Sequence, residues 1–336
     1  MSFTEVYGNE AAKASLVQAI LKDRISNAYV IEGVKGVGKK LLASVFSRAL
    51  VCESGETKPC GVCSGCRKAK TKNHPDIIYL EKAADKASIG VEEVREQILT
   101  EIHLRPYLAK RRVFLIGDGD AMSVEAQNAL LKALEEPPSY VTFLICVTKQ
   151  EKLLDTVLSR SQVISLFPLS ATEITAYLDA KNGKNEKHRL FARLAQGSIG
   201  AAETLLSDEN TEKLFEDSIN AMMLLKKQEA SIHETTAFFI AEKENIQTVI
   251  DFCQTFLRDC VFLKTGMEEQ VIYENKLSEM RVFLESIPKK GLVFAFDRLT
   301  DFRVRLKQNL NFSASASETV MRIWEDFHDK GSGHQI

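Results

Sequence analysis

Asn27-Ala28-Tyr29-Val30-Ile31-Glu32-Gly33-Val34-Lys35-Gly36-Val37-Gly38-Lys39-Lys40 is the stretch that decides the fold. Residues 27–31 read as a short buried strand, and Gly33 to Lys40 has the spacing of a phosphate-binding loop. Such a loop wraps backbone N–H groups around phosphates, places a lysine on the outer phosphates and uses a serine or threonine hydroxyl to hold Mg²⁺. Gly33, Gly36, Gly38 and Lys39 supply the cradle and its lysine, whereas the hydroxyl position is Lys40. The periodicity of 41–51 continues as the helix behind the loop, so strand, loop and helix follow in the order the motif requires.

Outward from the loop, strands are expected at 77–80, 112–116, 141–147 and 162–166, with helical patterns at 9–21, 91–103 and 123–134. Alternating strands and helices imply a parallel sheet. Pro168 closes this region, and Ser170-Ala171-Thr172-Glu173 is a capping box that opens a run of helices. Beyond 168 the strand-like alternation is gone. Two or three short helices are expected to about 206, and longer ones thereafter, including 248–264 and 291–309. Residues 331–336 read as a disordered tail.

The composition narrows the class. At 336 residues, 45% hydrophobic and a net charge of -2, the chain reads as a soluble protein of two or three domains, without a strongly basic surface for nucleic acid. No apolar stretch approaches a membrane span, and the start lacks a basic segment followed by an apolar run, so a cytoplasmic location is expected.

Four of the seven cysteines fall within Cys52-x7-Cys60-x2-Cys63-x2-Cys66, among the turn formers Gly55, Pro59, Gly61 and Gly65. Four thiolates so close together suit tetrahedral Zn²⁺, with every position filled by protein and hence a structural role. An iron-sulfur cluster and unliganded reduced cysteines are the alternatives; ferredoxin-type runs place the fourth cysteine downstream before a proline, which this chain does not. Cys146, Cys253 and Cys260 stand alone in apolar sequence.

A working nucleotide site also needs an acidic strand end, one residue to organise Mg²⁺ and one to polarise water. The candidate is Val113-Phe114-Leu115-Ile116-Gly117-Asp118-Gly119-Asp120, in which Gly117 takes the place of the metal-binding aspartate and Asp118 that of the catalytic glutamate. A plain turn after a buried strand is the other reading of Gly117 to Asp120. With the hydroxyl also missing, little or no ATP hydrolysis is expected from the chain alone and ATP with Mg²⁺ is not expected in its own site, while weak holding of an anion by the loop lysine and the helix N-terminus is left open.

Four segments fit one family together. They are Asn27-Ala28-Tyr29, the cysteine cluster, Ala126-Gln127-Asn128-Ala129-Leu130-Leu131-Lys132-Ala133-Leu134-Glu135-Glu136-Pro137-Pro138, and Leu153-Leu154-Asp155-Thr156-Val157-Leu158-Ser159-Arg160-Ser161. The chain resembles the clamp-loader branch of the AAA+ proteins, strongly to about residue 205. Beyond that the likeness is thinner, carried by Phe256-Leu257-Arg258-Asp259 and Asn309-Leu310-Asn311. The resemblance implies an AAA+ domain at 1–167 with a zinc module at 52–66, a helical lid at 168–207 and a helical collar at 208–330. It implies a non-catalytic subunit of the bacterial DNA polymerase III holoenzyme, a DNA-directed DNA polymerase. Its partners would be the loader's ATPase subunits and delta subunit in a five-subunit ring, and through the complex the sliding clamp and primed DNA.

In the family's Ser-Arg-Cys motif the arginine serves the neighbouring subunit's ATP site. Arg160 matches it, flanked by Ser159 and by Ser161 in place of the cysteine. Thr148 falls where the family's first sensor lies, or is a strand-end hydroxyl with a local bond. Gly200 stands near the second sensor's arginine, a third loss. His74, His103 and His188 lack spacing for catalysis or metal and are expected to be structural or solvent-facing. The competing function is an ATP-hydrolysing motor subunit of the same kind of loader.

Overall fold

Val141-Thr142-Phe143-Leu144-Ile145-Cys146-Val147 is buried along its whole length, as a central strand covered on both faces must be. A computed structural model describes residues 3–328 apart from 56–57, 84, 186, 209 and 309–310. In chain order the elements are α1 (Glu10–Leu21), β1 (Ala28–Glu32), α2 (Lys39–Leu50), α3 (Ser64–Lys70), β2 (Ile77–Leu80), α4 (Val91–Val94), β3 (Arg112–Ile116), α5 (Val124–Glu135), β4 (Val141–Val147), α6 (Asp155–Leu158) and β5 (Gln162–Ser165). Helices α7 (Ala171–Asn182), α8 (Lys187–Leu194), α9 (Ile199–Ser207), α10 (Thr211–Leu224), α11 (Ala230–Ala241), α12 (Ile246–Lys264), α13 (Leu277–Leu284), α14 (Lys289–Arg305) and α15 (Phe312–His328) follow, with no strand among the described residues beyond β5. The tail at 331–336 and the Asn309-Leu310 pair lie outside the described residues.

The five strands form one all-parallel sheet in the order β2-β3-β4-β1-β5. Val30 pairs with Ile145 of β4 on one side and Val163 of β5 on the other, so the strand feeding the glycine loop is central. Successive side chains of a strand point to opposite faces. Tyr29 and Ile31 accordingly pack with Val45, Phe46 and Ala49 of α2, while Ala28 and Val30 pack with Ala126 and Leu130 of α5. The α/β class expected from the sequence, a parallel sheet followed by helices, is the fold observed.

One element differs in detail. The helical pattern of 91–103 forms α4, then a π-helical turn over Arg95–Leu99 closed by Thr100 N–H on the Arg95 carbonyl, and then turns. Val94, Ile98 and Ile102 remain buried at a spacing of four, which is why the sequence reads as one helix although the backbone does not stay α-helical. The capping box forms as expected, with Ser170 Oγ accepting from Glu173 N–H at 3.2 Å and Glu173 Oε2 accepting from Ser170 N–H at 2.8 Å.

The chain divides into two compact units, Met1–Asn185 with Ala195–Glu203, and Glu186–Leu194 with Thr204–Ile336. The second is all-helical, with a core that includes Phe215, Phe239, Phe252, Phe256 and Phe302. Within it buried Asp259 accepts from Ile272 N–H at 2.7 Å, Tyr273 N–H at 2.9 Å and Arg258 at 2.9 Å, which ties the segment after α12 back onto that helix. Burial raises the pKa of this carboxyl, opposed by those donors.

Candidate functional site

Gly33, Gly36 and Gly38 carry the chain from β1 into α2 with φ of 153°, 79° and 102°. Gly36 has no alternative there, because a Cβ would sit 2.1 Å from Ser198 Oγ in a conformation side chains rarely adopt. Gly200 meets the same residue, its N–H 3.4 Å from the Gly36 carbonyl.

The charged groups around this loop are satisfied by the protein itself. Lys39 Nζ donates to the carbonyls of Gly33 and Val34 at 2.7 and 2.9 Å. Burial lowers the pKa of this ammonium, partly offset by the field of Asp120. Lys40 Nζ lies 2.8 Å from Asp118 Oδ1, and the other carboxylate oxygen accepts from Lys82 N–H at 3.2 Å. Burial pushes the Asp118 carboxyl up, but Lys40 and Lys82 outweigh it and leave the group below the ordinary carboxylate value. Thr148 is likewise engaged, its N–H 2.9 Å and its hydroxyl 3.1 Å from Asp120 Oδ1.

The two acidic residues after β3 are thus spoken for by protein groups. The sequence named Lys40, Asp118 and Thr148 singly, whereas the pairing of Lys40 with Asp118 and the bond of Asp120 to Thr148 were missed. Opposite charges at both motif ends were the available signal for the first; nothing in the spacing indicated the second.

Arg160 lies just after α6, a helix of four residues. Its Nη1 donates to the Thr156 carbonyl at 2.9 Å and its Nη2 lies 2.9 Å from Glu135 Oε1, at the end of α5. The two flanking serines close the turn, Ser159 Oγ donating to the Thr156 carbonyl at 3.1 Å and Ser161 Oγ to the Val157 carbonyl at 2.8 Å. Buried Gln127 joins the two helices: its amide donates to the carbonyls of Met122 and Lys152 at 3.3 and 3.2 Å and accepts from Leu154 N–H at 2.8 Å. Sequence reading quoted Glu135 and Gln127 within a motif without seeing either role.

The sulfur atoms of Cys52, Cys60, Cys63 and Cys66 all lie within 4.8 Å of one another, with Cys60–Cys66 and Cys52–Cys63 at 3.9 and 4.0 Å. Four sulfurs about 2.3 Å from a common tetrahedral ion would be about 3.8 Å apart, so this set can hold a metal ion. Cys63 caps the N-terminus of α3, accepting from Cys66 N–H at 3.3 Å, and Cys60 accepts from Cys63 N–H at 3.4 Å. Backbone donors of this kind, first that of Cys63, lower the Cys60 thiol to about 6, whereas burial raises Cys52 and Cys66. His74 is buried nearby in sequence and takes a structural part, Nδ1 accepting from Asp76 N–H at 3.1 Å. His188 is buried and His103 exposed.

A family model described as DNA polymerase III, delta subunit matches residues 8–170. The DNA polymerase III subunit delta' of Bacillus subtilis (strain 168) is 26% identical over 319 residues, covering 92% of this chain and 94% of that protein. The DNA polymerase III subunit tau of Escherichia coli (strain K12) is 30% identical over 262 residues, 74% of this chain but only 40% of that longer protein. Among solved structures, a DNA polymerase III gamma subunit-related protein from Thermotoga maritima superposes with a TM-score of 0.50 at 16% identity, over 93% of this chain and 98% of that one, a likeness of fold. With its parallel sheet and its glycine loop, the chain is similar to DNA polymerase III subunits of the delta' and tau types, the delta' relative matching it over nearly its whole length.

Proposed function

We propose that this chain is the structural, non-hydrolysing subunit of a bacterial clamp loader, of the delta-prime type, which lends an arginine to a partner's ATP site. The observation that carries the reading is the contrast between the two ends of the sheet. Around its own loop the groups that would serve magnesium, Asp118 and Asp120, are engaged by Lys40, Lys82 and Thr148, whereas Arg160 keeps one guanidinium nitrogen on the Thr156 carbonyl and sets the other against a single partly exposed carboxylate. The side chains of Arg160 and Glu135 are 35% and 50% exposed, so their pair is worth about 0–1 kcal/mol and is readily given up for a phosphate. A guanidinium is permanently charged and forked, which suits the equatorial oxygens of a phosphoryl group in transfer.

In this reading the AAA+ part at 1–167 is followed by a lid at 168–207 and a collar at 208–330, through which the chain joins ATPase subunits and a delta subunit in a five-membered ring. The ring would load a sliding clamp onto primed DNA in the cytoplasm. No helix of the described residues is long and apolar enough to cross a membrane. The four cysteines would hold one structural Zn²⁺, since no ligand position is left for water.

The test is reconstitution with partner ATPase subunits. The chain alone should not turn over ATP, and Arg160→Ala should leave assembly intact while lowering DNA- and clamp-stimulated hydrolysis by the complex about tenfold or more. Robust hydrolysis by the isolated chain would instead support the motor-subunit alternative, and an unchanged rate with Arg160→Ala would remove the trans-acting arginine.

A further inference from the structure

Magnesium requires near-octahedral oxygen ligation at about 2.0–2.1 Å, some of it from carboxylate and hydroxyl groups of the protein. The residues around this loop do not fit that requirement. The loop hydroxyl is replaced by Lys40, whose ammonium stands 2.8 Å from Asp118, the first carboxylate after β3. The second oxygen of that carboxylate is taken by Lys82 N–H. A divalent ion placed beside Asp118 would meet the Lys40 ammonium within the space it needs.

Gly117 belongs to the same arrangement. A Cβ there would lie 3.1 Å from Lys40 Cε, a tight contact, and 3.4 Å from Lys40 Nζ and Glu81 Cγ. An aspartate at 117, the residue a magnesium site would call for, would move the end of the flexible Lys40 side chain by a few tenths of an ångström and set a second carboxylate against its ammonium. The two departures from a working site therefore meet in space: the end of the Lys40 side chain lies beside the bare Cα of Gly117.

We propose that the Lys40 ammonium is a covalently tethered stand-in for the divalent cation. It uses Asp118 as counter-ion beside Gly117, and makes any phosphate binding by this loop independent of magnesium. The inference deepens the reading of the loop as degenerate and rests on it. The pair is partly exposed, 51% and 33% for the two side chains, so it adds little to stability. Its effect lies in the space and charge it occupies, and removing it should leave the fold intact.

The experiment uses the full-length chain and a fluorescent ATP analogue, titrated in magnesium-free buffer and in buffer with Mg²⁺. The wild-type affinity, whatever its level, should be the same in both. Lys40→Thr should bring a magnesium-dependent gain, and Lys40→Thr with Gly117→Asp should bind about tenfold tighter with Mg²⁺ than without, because both protein ligands are then in place. Gly117→Asp alone should remain blind to magnesium, since the ammonium stays.

A wild-type chain that binds the analogue only with Mg²⁺ overturns the inference. So do folded variants whose affinities are equal in the two buffers; the single Lys40→Thr change keeps the test decisive if the double variant is unstable. ATP turnover by the wild-type chain would remove the underlying reading of the site, whereas an inert wild type with magnesium-blind variants removes only the tethered cation.

Discussion

Environment sorts the seven thiols of this chain into two chemical groups. Cys146 lies on β4 beneath the loop, where burial pushes its thiol up to about 12, and burial also raises Cys253 and Cys260 on α12. The thiolate is the attacking species, and a raised pKa keeps these three protonated at mildly alkaline pH. Cys52, Cys60, Cys63 and Cys66 face one another at metal-ligand distances. At pH 8 a disulfide reagent should label none of the seven rapidly while zinc is bound; after chelation the half-buried Cys60 and Cys63 should react first and the buried Cys52 and Cys66 more slowly, the other three reacting only on denaturation. Metal analysis of the same sample should give about one zinc per chain without visible absorption. Seven fast thiols after chelation, or an iron charge-transfer band, would count against the assignment. The cluster was legible in sequence because its ligands are adjacent along the chain. The pairing of Lys40 with Asp118 was not, because it joins residues 78 positions apart whose meeting depends on β1 and β3 lying in one sheet.

At the scale of elements, the position of Arg160 is set by a helix too short to announce itself. Helix α6 has four residues, about one turn, and no periodicity can be read over so few. What fixes it is Gln127, a buried side chain of α5 that satisfies Leu154 N–H at the α6 N-cap together with the carbonyls of Met122 and Lys152. Gln127→Ala leaves buried backbone groups without partners, which should cost about 1–3 kcal/mol of stability by denaturant titration. In the reconstituted complex it should also lower stimulated hydrolysis, since the turn bearing Arg160 loses its anchor; an unchanged stability would mean that water replaces the amide. Longer elements were legible for the converse reason. Strand β4 and helices α2, α5 and α12 each carry an uninterrupted apolar pattern that matches their period. The π turn after α4 escaped because its buried residues keep the spacing of a helix.

At the scale of the whole molecule, each unit has a core of its own. The sheet-centred unit packs apolar residues on both faces of β1, β3 and β4, and the all-helical unit packs its aromatic residues separately. Separate cores predict separate cooperative transitions, because a residue's burial then depends on its own unit remaining folded. The cysteine cluster belongs to the first unit alone, with Cys66 buried on α3 next to α2 in the chain. A ligand that binds only the folded state stabilises by mass action, about 2.7 kcal/mol at a hundredfold excess over its dissociation constant. For a unit of this size that corresponds to a shift of about 5–10 °C. Calorimetry should therefore resolve two transitions, and a chelator should lower one by roughly that amount and leave the other in place. The transition that moves should be the one lost together with sheet signal in circular dichroism, since β1 to β5 all lie in the unit that holds the cluster. If a chelator lowers both equally, the units fold as one, and the metal's contribution reaches the helical core as well as the sheet.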